Sequence, residues 1–305
     1  MTNDPVFVIG IGRSGTTLLR LMLHHHPRIA IPYESEFLTR HHEAVEQYGD
    51  LRDDANLAAL VDAMLAEPAL LRWDHTFHRN EILANLEERT VAGVSHAIYS
   101  QYAAAKGKAR WGDKSDYLDQ IHVLNEMFPR SQFIHIIRDG RDVAASVMKL
   151  SWGPNDIISA AQWWNDHLWV ARRVGAVLGK ERYLEIRYEH LVEEPERELR
   201  RCCAFLHEEY SPEMLAYHQD SEAAIPPERR AQHHGYNTPP DRSRIYAWKR
   251  EMRPCDIALF DRYAGRMLTE VGYELPTVSC GRVALGWRLV SILLRRAIQT
   301  DGTKI

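Results

Sequence analysis

Val6-Phe7-Val8-Ile9-Gly10-Ile11-Gly12-Arg13-Ser14-Gly15-Thr16-Thr17-Leu18-Leu19-Arg20-Leu21-Met22-Leu23 joins three signals in one stretch. Val6–Ile9 is a continuous apolar run, the pattern of a parallel strand buried on both faces. A glycine-rich turn follows from Gly10 to Gly15, and residues 16–23 read as a helix that ends before Pro27. Strand, loop and helix in this order predict an α/β fold with a P-loop-like parallel sheet flanked by helices. The loop almost fits the Walker pattern of Gly, four residues, Gly, Lys and Ser/Thr, but Thr16 stands where the lysine belongs. In a nucleoside triphosphatase that lysine reaches the β and γ phosphates. Without it, backbone N–H groups at a helix N-terminus still cradle a phosphate. Arg13 adds a fixed cationic fork. The loop therefore suits a ligand with fewer phosphates.

The rest of the chain supplies the same alternation. A short strand over 109–112 leads into Asp113-Lys114-Ser115-Asp116, and a helix over 118–127 stops at Pro129. Residues 132–137 form the clearest second core strand, running into Arg138-Asp139-Gly140-Arg141-Asp142 and a helix over 143–149. Helices over 157–178, 195–206 and 256–271, and a strand over 183–188, complete the reading. The aromatic stripe Trp163, Trp164 and Trp169 reads as core. Residues 39–108 look like an inserted helical layer, and 212–244 like a surface loop or lid. Residues 1–280 form the main domain. The tail 281–305 reads as a C-terminal amphipathic helix with Arg282, Arg288, Arg295 and Arg296. It lies on a membrane surface, docks on the domain, or makes a dimer contact.

A chain of 305 residues buries a full core without staples. Its 38 Lys and Arg against 42 Asp and Glu give a formal charge of −4, which disfavours a nucleic-acid partner. The 4 cysteines form neither a Cys-x-x-Cys pair nor a disulfide framework, so reduced thiols and a cytoplasmic setting are expected, with membrane association through the tail as an addition. No signal peptide and no spanning helix are read. His24-His25-His26 fits the negative end of a helix dipole better than a metal site. His75-x-x-His78 and the pairs at 41–42 and 233–234 lack a companion ligand pattern, so no metal is expected.

A second anion site is indicated by Arg138 at a strand's C-terminal end and Ser146 in the next helix. Open α/β sheets bind ligands in that crevice, and an arginine there attracts phosphate rather than Mg²⁺. With both motifs in hand, the chain resembles the sulfotransferases that use 3′-phosphoadenosine 5′-phosphosulfate. Arg13-Ser14-Gly15-Thr16-Thr17-Leu18 resembles their 5′-phosphosulfate loop. The segment from Arg138 to Ser146 resembles their 3′-phosphate segment. Asp113-Lys114-Ser115, Arg187-Tyr188-Glu189-His190-Leu191 and Trp248-Lys249 extend the likeness from Val6 to Tyr273. The likeness is nearer to tyrosylprotein, glycan-type and bacterial members than to the cytosolic phenol and steroid branch.

The resemblance implies in-line transfer of a sulfuryl group to a hydroxyl or amine acceptor. It implies donor contacts from Arg13, Ser14, Gly15, Thr16, Thr17, Arg138, Ser146 and Tyr188. Arg13 and Lys114 match the cations that stabilise the charge developing on the bridging oxygen. A general base must reach the acceptor proton. Glu34 matches the tyrosylprotein register, Glu36 lies nearer the glycan-type register, and Asp116 stands where cytosolic members carry a histidine. Alignment on Trp248-Lys249 adds Arg242 and Ser243 as 3′-phosphate contacts, although only the central basic residue of that family turn survives. The acceptor is a hydroxyl-bearing small molecule, lipid or glycan. A kinase on the same kind of sheet, or a non-catalytic adenine-nucleotide binder, are the competing readings.

Overall fold

A computed structural model describes residues 4–219, 225–227 and 237–301. The strands are β1 (Val6–Ile9), β2 (Ile29–Ala30), β3 (Arg110–Asp113), β4 (Gln132–Ile137) and β5 (Tyr183–Arg187). The helices are α1 (Thr16–His24), α2 (Leu38–Glu43), α3 (Asp54–Leu65), α4 (Arg79–Ala84), α5 (Val91–Ala105), α6 (Ile121–Met127), α7 (Gly140–Val147), α8 (Ile157–Leu178), α9 (Tyr188–Glu193), α10 (Pro195–Leu206), α11 (Trp248–Glu251), α12 (Pro254–Glu270) and α13 (Arg282–Asp301). They belong to two compact units. One holds the chain up to Ile11, Gly15–Ile137 and Ala171–Arg242; the other holds Gly12–Ser14, Arg138–Val170 and the chain from Ser243 onward.

The first unit contains the five-stranded sheet, ordered β2-β3-β1-β4-β5 with every pairing parallel. Apolar β1 takes the centre, with Val6 opposite Gly112 on one side and Gln132 on the other. Its Phe7 ring stacks on Phe133 at 5.3 Å and meets Trp111 edge-on at 6.0 Å. A strand with no polar face must be covered on both faces, which is why β1 and β4 are buried throughout. The stretch between β2 and β3 folds into α2 to α5, the inserted helical layer. Trp73, Tyr99 and Tyr102 pack as a cluster within it, with ring centroids 4.8 and 5.4 Å apart.

The second unit is helical and holds α7, the start of α8, and α11 to α13. Helix α7 begins at Gly140, three residues before the point expected from periodicity, because Asp139 caps it by accepting the Arg141 N–H at 3.0 Å. A Cβ on Gly140 would lie 2.6 Å from the Phe260 and Trp164 rings, so the close approach there needs glycine.

Four expectations need correction. Of the aromatic stripe on α8, Trp164 is buried but Trp169 is 51% exposed, because the residues sit at different angles around the helix. Residues 212–217 do not form a plain surface loop: Met214 and Tyr217 are core, and Met214 Sδ lies 3.6 Å from Cys203 Sγ. Tyr188 opens α9 instead of ending β5. Cys255 and Cys280 are joined in a disulfide, 25 residues apart in sequence, so the expectation of four reduced thiols fails. Cys202 and Cys203 stay buried thiols, and burial pushes the Cys203 thiol up to about 11. In the expected lid, residues 220–224 and 228–236, including His233 and His234, lie outside the described residues, as do residues 302–305.

Candidate active site

In the first unit, Gly15 caps α1 in the left-handed region (φ 95°), and a Cβ there would meet Tyr188 Cδ2 at 2.4 Å. The Tyr188 ring therefore closes against the loop glycine. Thr16 and Thr17 form the buried first turn of α1, whose N–H groups have no partners within the helix. That end carries partial positive charge and suits an anion.

Opposite chemistry meets beyond the C-terminal ends of β2 and β3. Lys114, one residue past β3, forms an ion pair with the Glu34 carboxylate on the loop after β2. Lys114 and Glu34 side chains are 12% and 21% exposed, so both are half-withdrawn from water while still reachable. The two loops are stitched together beneath them. Ser35 N donates to Ser115 Oγ at 2.9 Å, Glu36 N donates to the same oxygen at 3.3 Å, and Leu38 N donates to Tyr117 Oη at 3.2 Å. Below this lies fully buried Asp113, which accepts from Tyr99 Oη at 2.6 Å. Burial pushes the Asp113 carboxyl up to about 6 against the pull of its hydrogen bonds. Glu36 and Asp116, the other candidate bases, are exposed, and Glu36 holds a left-handed backbone (φ 58°).

In the second unit, Arg13, Arg138 and Ser146 come together. Arg13 Nε donates to Ser146 Oγ at 3.0 Å, and Arg138 Nη1 donates to the Arg13 carbonyl at 2.9 Å. Arg138 Nη2 reaches the Arg244 carbonyl at 2.8 Å. Arg13 itself is left-handed (φ 75°), a conformation that a non-glycine residue adopts only when its surroundings enforce it. Ser14 is buried beside it.

Behind these groups is a frame that sequence reading missed. Trp248 Nε1 donates to Asp139 Oδ2 at 3.0 Å, and Trp248 N donates to Asp142 Oδ1 at 2.8 Å. Arg141 forks onto Asp139 at 2.8 and 2.9 Å and lies over the Trp248 ring at 3.8 Å. The four residues thus lock the start of α7, where Arg138 sits. The signal was present in the repeated Arg-Asp of 138–142, but nothing in the pattern shows that Trp248 joins it. Burial raises the Asp142 carboxyl to about 6, although the Arg138 charge opposes this.

Other expected contacts go elsewhere. Arg242 Nη2 donates to the Glu193 carbonyl at 2.9 Å, and the Ser243 carbonyl accepts from Arg250 at 2.6 Å. The histidines at the end of α1 bond backbone groups, near and distant in sequence. His24 Nδ1 accepts from Ile31 N at 3.0 Å, and His26 Nε2 meets the Glu209 carbonyl at 2.8 Å.

Comparison with known proteins bears on a site of this make-up. A profile described as the sulfotransferase family matches residues 5–212, more than half of the chain. The chain belongs to the sulfotransferase family. Among its relatives, it is 29% identical over 230 residues to nodulation protein NoeE of Sinorhizobium fredii, covering 66% of this chain and 49% of that one. It is 24% identical over 225 residues to protein-tyrosine sulfotransferase A of Caenorhabditis elegans, covering 72% and 53% respectively. The chain thus spans about half the length of these relatives. In structure, this sulfotransferase-family chain resembles the sulfotransferase domain from the Synechococcus PCC 7002 olefin synthase, with a TM-score of 0.62 and 22% identity over 90% of this chain and 98% of that one. A second match is the sulfotransferase domain from the curacin biosynthetic pathway, with a TM-score of 0.61 and 22% identity over 90% and 99%. The shared fold is the parallel α/β sheet described above.

Proposed function

We propose that the chain transfers a sulfuryl group from 3′-phosphoadenosine 5′-phosphosulfate to a hydroxyl or amine acceptor. The observation that carries this reading is the Glu34–Lys114 pair, a carboxylate and an ammonium held together past the strand ends of a family member. Glu34 takes the acceptor proton as the acceptor oxygen or nitrogen attacks sulfur. The bond from sulfur to the bridging oxygen breaks, that oxygen stays with the departing adenosine 3′,5′-bisphosphate, and Lys114 and Arg13 stabilise its charge. Thr16 and Thr17 at the α1 N-terminus, with Ser14, Gly15 and Tyr188, serve the 5′ end of the donor. Arg138 and Ser146 serve its 3′ phosphate. Arg242 and Ser243 are assigned only to the outskirts of that phosphate. These roles need no metal, and activity in the presence of a chelator is expected.

The acceptor is assigned as a hydroxyl-bearing small molecule, lipid or glycan, faced by the helical layer of 39–108. Among the described residues, no helix is long and apolar enough to cross a membrane. A peripheral membrane contact is supported by α13, where Val283, Trp287, Val290 and Leu294 are exposed and share one stripe. A cytoplasmic setting requires Cys255 and Cys280 to be present there as thiols, and alkylation of extracts followed by mass spectrometry tests this.

The deciding experiment incubates the purified chain with ³⁵S-labelled donor, a chelator and a panel of hydroxyl compounds. Label should move to an acceptor or to water, leaving adenosine 3′,5′-bisphosphate. Labelled donor that stays intact with every acceptor, alongside ATP consumption with Mg²⁺, would overturn the assignment.

A further inference from the structure

A cavity of about 310 Å³ opens in the first unit at the edge of the sheet, beside β2. Its lining brings four cations, Arg20, Arg72, Lys106 and Lys108, against two carboxylates, Asp74 and Glu213. Both carboxylates lie at the exposed rim, and Asp74 pairs with Lys106 at 2.9 Å. Trp73, Tyr33 and Tyr102 form an aromatic wall, each nearly buried, and Trp73 Nε1 fixes that wall by donating to the Tyr33 carbonyl at 2.6 Å.

The cations are built in. Arg20 is 1% exposed and donates to the Ile31 carbonyl at 3.2 Å. Lys108 donates to the His24 carbonyl, and burial together with the Lys106 charge pulls its ammonium down to about 8. Arg72 Nη1 is buried with no hydrogen-bond partner among the described residues. A buried guanidinium N–H left without an acceptor is costlier than a neutral donor in the same state, so an arriving acceptor is favoured. His24 adds no charge at neutral pH, since burial drives it well below its ordinary value.

The cationic side of this cavity lies away from Lys114, while its Tyr33 wall adjoins Glu34. Lys106 and Lys108 precede the N-terminal end of β3, whereas Lys114 follows its C-terminal end, and residues 110 to 114 alone span about 13 Å of extended chain. Likewise His24 and His25 lie at the C-terminal end of α1, about 12 Å along the helix from Thr16.

We propose that this cavity is a second ligand site, taking a small organic anion in which a phosphate or sulfate group is carried on a flat ring. The tetrahedral anion faces Arg72, Lys106 and Lys108, and the ring lies on Trp73 and Tyr102. The site goes beyond the transfer reaction and does not depend on it.

Phenyl phosphate and phenyl sulfate are the probes, titrated into the full chain by calorimetry, with inorganic phosphate and phenol as the two halves. Either ester should bind at least tenfold more tightly than each half. Arg72→Gln and Lys106→Gln change partly exposed side chains; Lys106 also pairs with Asp74 and lies over the Tyr102 ring, so an unchanged melting temperature is required of each variant. Each should weaken the ester about tenfold, the loss expected for one charge-assisted hydrogen bond of about 1.4 kcal/mol, and leave adenosine 3′,5′-bisphosphate binding unchanged. Phenyl phosphate against phenyl sulfate decides which anion the site prefers. The proposal fails if neither ester binds at millimolar concentration, if both variants bind as the native chain does, or if adenosine 3′,5′-bisphosphate displaces the ester. Loss of adenosine 3′,5′-bisphosphate binding with ester binding intact would instead count against the transfer assignment alone.

Discussion

Arg138→Ala separates the two ends of the proposed donor. Its guanidinium donates to the Arg13 carbonyl at 2.9 Å and to the Arg244 carbonyl at 2.8 Å, and Nη2 lies 3.9 Å from Asp142 Oδ2. Removing it has two consequences of different kind. The loop at Arg13 loses a tether, which weakens any ligand of that loop by a common factor. A 3′ phosphate also loses a charge-assisted contact of about 1.5–3 kcal/mol, or roughly ten- to hundredfold in affinity. The ratio between two nucleotides isolates the second effect. Adenosine 3′,5′-bisphosphate and adenosine 5′-phosphate, titrated by calorimetry at low salt with a chelator, should differ by roughly ten- to hundredfold less in the variant than in the native chain. Ser146→Ala removes one neutral hydroxyl and should reduce the same ratio by about two- to tenfold. Arg138→Lys, which keeps the charge but not the fork, should fall between them. If both nucleotides weaken by the same factor in Arg138→Ala, the 3′-phosphate assignment is wrong and Arg138 only braces the loop.

Three further outcomes are expected. Glu34→Gln keeps an oxygen for Lys114 to donate to, so nucleotide affinity should hold while turnover falls roughly 100-fold or more in the ³⁵S assay; unchanged turnover would move the base to Glu36 or Asp116. Gly15→Ala forces a side chain into φ 95° and against Tyr188 at 2.4 Å, costing roughly 1–2 kcal/mol for the backbone alone. Its melting temperature and nucleotide affinity should both drop, and adding Tyr188→Ala should recover only the clash; an unaffected single variant would contradict the loop geometry. Asp113→Asn tests a burial cost. The folded carboxyl titrates near 6 and the unfolded one near 3.8, so the folded chain holds the extra proton between them and loses stability as pH rises through 6. The asparagine escapes that loss and still accepts from Tyr99, so its melting temperature should gain on the native chain from pH 4 to pH 7, by up to about 3 kcal/mol in stability. A difference independent of pH would show that Asp113 is ionised in both states at little cost.

Much of this protein was legible in its residues. The continuous apolar run Val6–Ile9 marked a buried parallel strand, and only the fold put it at the centre of the sheet. Glycine and threonine at 15–17 marked the turn from strand into α1, because a left-handed turn favours glycine. Arg138 could be placed because strand ends are fixed by local periodicity, whereas Ser146 was expected early in the next helix and stands one residue before the end of α7.

Other features required the fold. Whether Glu34, Glu36 or Asp116 faces Lys114 depends on the path of two loops and on the bonds from Ser115 that hold them, and these join residues about 80 apart in sequence. Trp248 docking onto Asp139 and Asp142 spans more than 100 residues. The Cys255–Cys280 bond and the basic cavity at the sheet edge are likewise meetings of distant segments. Periodicity and turn chemistry act between neighbours along the chain, whereas charge pairing and burial act between neighbours in space, and only folding sets which residues those are.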